Sequence, residues 1–192
     1  MKNANRDSKN LVVDILSKSF DKNLSVNYIA KQDSKRKARI RSLMDYSFEM
    51  CYLFGNVYLS DDEKACALVL YPRKKKDNLR TVFLDVKLIF KCIGIRHIIK
   101  VLSREATIKK VQPKEDIVYL WFIGTDPSAQ NIGIGSKLIR SVIDITCREG
   151  KPIYLETSTT KNLPWYQKLG FEIYAEKNLG YNLFFLRKLF VP

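Results

Sequence analysis

The chain has a single histidine, His97, and only four cysteines, Cys51, Cys66, Cys92 and Cys147, none near another. That scarcity rules out zinc-finger spacings, so no metal site is expected, and the thiols read as buried and free in a reducing compartment. A Ser-His-Asp hydrolase would have to use His97, and no nucleophile-elbow sequence accompanies it. His97 reads instead as a partly exposed position on an amphipathic helix. Long apolar runs are missing too. The stretch Leu84 to Ile99 is broken by Asp85, Lys87, Lys91 and Arg96, so no membrane-spanning segment is expected. Met1 to Asn10 is polar and lacks the apolar centre of a secretory signal. Acidic residues are in short supply, 20 against 34 Lys and Arg.

What remains is the profile of one globular domain, residues 1–192, expected to be soluble and cytoplasmic. At 46% hydrophobic, a chain of 192 residues can bury a core without disulfides or metal. The net charge of +14 implies a polyanionic partner or a solubilising surface. Nucleic acid, acidic membranes and coenzyme A all qualify on charge alone. No interleaved aromatic-basic pattern supports nucleic acid and no segment spans a bilayer, so neither nucleic acid nor a membrane is expected as partner. The dense run Arg73-Lys74-Lys75-Lys76 reads as a solvated loop after a strand and Pro72.

Periodicity predicts a helix over Leu11 to Phe20, a polar break over Asp21 to Ser25, and a longer helix over Ser34 to Phe54 stopped by Gly55-Asn56. Val57 to Ser60 and Ala65 to Tyr71 read as a hairpin. Two helical patterns follow, Leu79 to Cys92 and Arg96 to Lys109, separated at Gly94. Asp116 to Ile123 is continuously apolar after its first residue, the pattern of a strand buried on both faces. A loop from Gly124 to Ile132 leads into a helix that ends near Glu149. Strand Ile153 to Thr157, a short helix from Asn162 to Leu169, and strands Phe171 to Ala175 and Asn182 to Leu189 complete the chain. A hairpin followed by strands joined through helices predicts an α/β (α+β) class with one mixed sheet and helices on both faces.

The loop and the helix after it carry the chemistry. From Ile134, the residues Leu138, Ile139, Val142 and Thr146 recur at helical spacing, so Gly133 and Gly135 stand where that helix begins. The first turn has amides without intrahelical partners and a partial positive charge, which suits a phosphate. An ordinary tight turn is the competing reading of Gly-x-Gly. Two known phosphate loops fit poorly, since a dinucleotide fingerprint needs glycine where Leu138 stands and a P-loop needs Gly-Lys, which Ser136 separates here.

The arrangement resembles the GNAT N-acetyltransferases. Their (Arg/Gln)-x-x-Gly-x-(Gly/Ala) signature is matched by Gln130-Asn131-Ile132-Gly133-Ile134-Gly135, between a strand and a helix. An aromatic-Tyr pair followed by Leu-Gly-Phe is matched by Trp165-Tyr166 and Leu169-Gly170-Phe171. The resemblance implies the acyl-CoA N-acyltransferase fold, with a mostly antiparallel central sheet, and acetyl transfer from acetyl-CoA to an amine. A looser likeness to the puromycin-acetyltransferase-like branch rests on the helix ending in Phe20, the long helix ending at Gly55, the hairpin ending in Pro72, and Leu155-Glu156-Thr157-Ser158.

Carried over, the resemblance assigns the pyrophosphate to the amides of Gln130, Asn131, Ile132, Gly133, Ile134, Gly135 and Ser136. It assigns the pantetheine arm to the strand end at Ile123, Gly124 and Thr125, splayed from the strand Ile153 to Thr157. Tyr166 would protonate the departing thiolate, or else pack beneath the cofactor. Asn162 caps the short helix or contacts the cofactor, and Trp165 reads as core. Lys137, Arg140 and Lys168 would meet the 3′-phosphate or form a solvated face. Glu156 is the first choice for a base or an amine anchor and Glu49 the second, with a structural ion pair the alternative for each. The acceptor is expected to be a small-molecule amine, its specificity set by the helices within Leu11 to Phe54 and Leu79 to Lys109. A homodimer is left open. An acyl-CoA-binding sensor without turnover is the alternative function.

Overall fold

The computed structural model describes residues 1–190. Its elements are β1 (Lys2–Asn3), α1 (Lys9–Ser19), α2 (Leu24–Ile29), α3 (Arg36–Phe54), β2 (Gly55–Leu59), β3 (Ala65–Leu70), α4 (Leu79–Leu88), α5 (Ile98–Val111), β4 (Val118–Thr125), α6 (Ile134–Arg148), β5 (Ile153–Thr157), α7 (Leu163–Lys168), β6 (Glu172–Asn178) and β7 (Asn182–Lys188). The seven strands form one sheet in the order β1-β2-β3-β4-β5-β7-β6. Every neighbouring pair is antiparallel except β4 and β5, which run parallel because α6 crosses over between them. The expected mixed, mostly antiparallel sheet with flanking helices is the fold found. Among the described residues no helix is long and apolar enough to cross a membrane.

Two large clusters hold the layers together. α1 and α3 press Val12, Leu16, Ile40, Met44 and Phe48 onto one face of the sheet, where Cys66, Leu68 and Phe122 await them. On the other face α6 packs Leu138, Ile139 and Val142 against Ala67, Val69, Leu120 and Leu155. Burying each such Leu or Ile side chain contributes about 1.5–3 kcal/mol. A smaller third cluster joins α5 to β7 through Ile108, Leu183 and Phe185.

β4 departs from the expectation of a strand buried on both faces. Its residues alternate between buried (Val118, Leu120, Phe122, Gly124) and half-buried (Tyr119, Trp121, Ile123, Thr125). A bulge sets the pattern. Leu68 of β3 pairs with Phe122 and Val69 with Leu120, so Trp121 has no partner. The extra residue reverses the facing of the rest of the strand, and both Trp121 and Phe122 join the α1/α3 cluster while Ile123 packs with α6.

Two short elements arise where none was expected. Lys2–Asn3 adds an edge strand against Tyr58 and Leu59. Within the polar break, Asn23 accepts a hydrogen bond from the Val26 amide at 3.0 Å and so starts α2. Of the thiols, Cys51, Cys66 and Cys92 are buried as expected, but Cys147 is exposed on the outer side of α6. His97 does sit half-buried, at the start of α5.

Candidate functional site

β4 and β5 pair at only two positions, Val118 with Ile153 and Tyr119 with Tyr154. Beyond them β4 continues on β3 alone, as far as Thr125 opposite Ala65. β5 continues on β7 alone, as far as Thr157 opposite Phe184. The strands therefore part, and the β5-facing edge of β4 from Leu120 to Thr125 has no ladder partner. Bare strand edge of this kind can hydrogen-bond an extended ligand.

The loop at the mouth of this cleft is shaped by its glycines in two different ways. Gly133 precedes α6 with φ +87°, and a Cβ there would meet nothing within 4 Å, so its backbone conformation is what requires glycine. Gly135 has the reverse need: a Cβ would lie 3.1 Å from Thr125 Oγ1. Its missing side chain lets the first turn of α6 settle over the end of β4. Asn131 also has positive φ, at 64°, without being glycine.

The Lys137 amide is the first to bond within the helix, to the Gly133 carbonyl at 2.9 Å. The amides of Ile134, Gly135 and Ser136 have no intrahelical acceptor. No side chain caps this end and no acidic residue stands in its first turn. Free amides at the positive end of a helix, with an exposed Gln130–Gly133 approach, fit the pyrophosphate of a coenzyme A thioester. Lys137 and Arg140, farther along α6, and Lys168 on α7 are exposed and make no ion pair among the described residues.

α7 is fastened to this helix end, because Trp165 Nε1 donates to Ser136 Oγ at 2.8 Å. Trp165 is thus half-buried with a polar task, not simply core. It also leaves Ser136 able to offer its amide and hydroxyl proton, but not that lone pair. Tyr166 is buried beside Trp165 and Phe171, at ring-centroid distances of 4.7 and 5.7 Å. Its hydroxyl makes no hydrogen bond to the protein among the described residues, yet it is not sealed from solvent. Burial pushes its pKa well up, so the phenol keeps its proton at neutral pH. Asn162 precedes α7 but is itself helical in conformation and makes no side-chain capping bond. The capping role expected of it is not seen.

Glu156 lies on the stretch of β5 that has left β4. The Tyr119 hydroxyl donates to one carboxylate oxygen, and Gln112 Nε2 donates to the other at 2.9 Å. Tyr119 reaches it because Tyr119 and Tyr154 are paired, and Glu156, two residues on, shares the face of Tyr154. Burial raises the Glu156 pKa above 4.5, against the opposing pull of Tyr119, Gln112 and Arg104. Arg104 is itself buried in α5, donating to the Tyr181 hydroxyl at 2.9 Å and to Ser25 Oγ at 2.5 Å. Ser158, just past β5, accepts from the Ser25 amide at 3.3 Å. A polar wall thus runs from Glu156 through α5 to the start of α2. Gln112, Tyr119 and Arg104 were not singled out in the sequence. For Arg104 a signal exists, since it shares the buried face of α5 with Val101 and Ile108, where a charge is out of pattern.

Glu49 takes the structural one of its two readings. It is buried on α3 between Arg6 at 2.6 Å, Lys9 at 2.9 Å and Arg80 at 3.1 Å. Burial alone would raise its pKa, but the hydrogen bonds from Lys9 and Arg6 prevail and hold it below 4.5. A carboxylate with three cations about it is a structural ion cluster and a poor proton acceptor.

Comparison with known proteins agrees with this architecture. The chain has the fold of the histone acetyltransferase HPA2-related structure from Corynebacterium glutamicum (TM-score 0.73, 21% identity, 100% of this chain and 96% of that one). It also has the fold of arylalkylamine N-acetyltransferase 2 from Aedes aegypti (TM-score 0.65, 15% identity, 99% and 98%). Residues 91–173 match the acetyltransferase (GNAT) domain family. An uncharacterised N-acetyltransferase of Schizosaccharomyces pombe is 42% identical over 53 residues, which cover 28% of this chain and only 22% of that protein. The family match thus spans less than half of the chain, and the fold agrees with it.

Proposed function

We propose that the protein is an acetyl-CoA-dependent N-acetyltransferase acting on a small-molecule primary amine. The observation that carries this reading is the cleft between β4 and β5 with the uncapped N-terminus of α6 at its mouth. Acetyl-CoA supplies the activated acetyl thioester. The amides from Gln130 to Ser136, chiefly those of Ile134, Gly135 and Ser136, hold its pyrophosphate. The free edge of β4 at Ile123, Gly124 and Thr125 takes the pantetheine arm as an added strand, and amides of that edge polarise the thioester carbonyl.

Glu156 receives a proton from the amine, directly or through water, and burial, by raising its pKa, makes it a better acceptor than an exposed carboxylate. The amine nitrogen bonds to the carbonyl carbon as the carbon–sulfur bond breaks. Tyr166 gives its proton to the departing sulfur and is restored from solvent. Asn162, whose side chain caps nothing, is free to contact the cofactor. The acceptor enters along the wall of Arg104, Gln112 and Ser25, where the α2 and α5 helices set specificity.

The test is the release of free thiol from acetyl-CoA across a panel of amines, with thermal stabilisation by acetyl-CoA measured in parallel. Stabilisation with turnover on at least one amine is expected. Tyr166→Phe should slow turnover about tenfold or more while leaving the stabilisation intact. Stabilisation without turnover on any amine would favour an acyl-CoA sensor, and no stabilisation would remove the cofactor assignment.

A further inference from the structure

The segment between β3 and β4 has a face that the core does not use. On α4, Thr81 and Leu84 turn inward and are buried. Leu79, Val82, Phe83 and Val86 recur on the other side at helical spacing, and Phe90 continues their line through the π-helical turn Ile89–Ile93. Past Gly94, Ile95, Ile99 and Leu102 repeat the pattern opposite the buried Val101, Arg104 and Ile108. These eight side chains are 44% to 92% exposed. So many large apolar side chains exposed along one segment go beyond the scattered single ones that a protein surface normally carries. A helix with one face in the core normally turns polar groups outward, and these two turn large apolar side chains out among them.

The same segment holds most of the protein's charge. Residues 72–111 contain twelve Lys and Arg against three Asp and Glu, which is +9 of the chain's +14. Arg80 and Lys87 are spoken for by Glu49 and Asp45. The run Arg73 to Lys76, with Lys91, Arg96 and Lys100, is exposed and has no ion pair among the described residues.

We propose that this face docks on an anionic lipid surface. The apolar stripes would enter the headgroup boundary, and the flanking cations would sit among the lipid phosphates and carboxylates. Charge selects this occupant. A second copy of the chain would bring two +9 segments together, and like charges across an interface disfavour it. A nucleic acid would match the cations but leave the apolar stripes in water. Anionic lipid satisfies both. The expectation of no membrane partner rested on the lack of a spanning segment, and a face lying on the surface needs none.

The experiment is co-sedimentation of the full chain with phosphatidylcholine vesicles, with and without phosphatidylserine, at low and moderate salt. Binding is expected only with phosphatidylserine, and should weaken as salt shortens the Debye length. Phe83→Asp with Phe90→Asp should abolish it. Lys74→Gln with Lys75→Gln should weaken it on the order of tenfold or more. All four positions are exposed, so the melting temperature and its increase with acetyl-CoA should not change, and the acetyl-transfer reading stands or falls separately. The proposal is overturned by no binding to phosphatidylserine vesicles or by binding that survives the Phe83 and Phe90 substitutions. A dimer in sedimentation equilibrium that those same substitutions dissolve would overturn it too, giving the face to a second copy.

Discussion

The corner between α1 and α3 and the cleft between β4 and β5 each bury a glutamate, and the two carboxylates end in opposite states. Glu49 collects three cations, and its pKa falls. Glu156 receives two neutral donors, Tyr119 and Gln112, and its pKa rises. Both were candidates for the base. Burial pushes the two in the same direction, so the sign is decided by whether cations touch the carboxylate: three do at Glu49, while Arg104 pulls on Glu156 without an ion pair. A carboxylate that must accept a proton needs hydrogen bonds for orientation without a cation that fixes its charge.

The largest separation should come from removing the two carboxylates in turn. Glu156→Gln should cut turnover on the best acceptor about a hundredfold, with little change in melting temperature. Glu49→Gln should leave the turnover of folded protein near normal but lower the unfolding free energy by about 2 kcal/mol, less than for a fully buried cluster because Arg6 and Arg80 are half-exposed. Denaturant melts and steady-state rates on both variants check this. Equal loss of activity in both would erase the distinction.

A pH series tests the same contrast at smaller amplitude. With its folded pKa above 4.5, Glu156 should give the rate profile an acid limb centred above that value, and Glu156→Gln should flatten it. For Glu49 the folded pKa is below 4.5, so its contribution to stability is present above 4.5 and is lost as pH falls through the folded value. Glu49→Gln should therefore differ from the parent in melting temperature at neutral pH and converge with it in acid. The finest effect concerns Tyr119→Phe, which removes a donor that favours the charged form of Glu156. The acid limb should move further up, and a downward move would contradict the assigned role of that hydroxyl.

How much of this could be read from the sequence follows the range of the interactions. The start of α6 after the loop Gln130 to Ser136 was legible because a helix start depends on neighbouring residues: the glycines at 133 and 135 and the apolar repeat from Leu138 onward. The mixed sheet was legible from periodicity. The bulge at Trp121 was not, since a continuous apolar run does not reveal which residue lacks a partner on β3. Glu49 could not be judged either, because Arg6, Lys9 and Arg80 come from distant points in the chain. For Asn162, composition pointed to a cap, whereas the 3₁₀ turn Thr160–Asn162 already carries the chain into α7 and leaves that side chain nothing to cap.

The order of the last strands has a consequence for how the molecule is made. β7 lies between β5 and β6, so the strand carrying Glu156 gains its second neighbour from a stretch of chain made after it. Until then β5 has only two paired residues on β4 to hold it, and one wall of the cleft is missing. During synthesis the first layer, α1 and α3 on β2 and β3, has its partners already in hand, whereas the half that holds the cleft waits for β7. An incomplete chain would therefore present a partly ordered core and no working cleft.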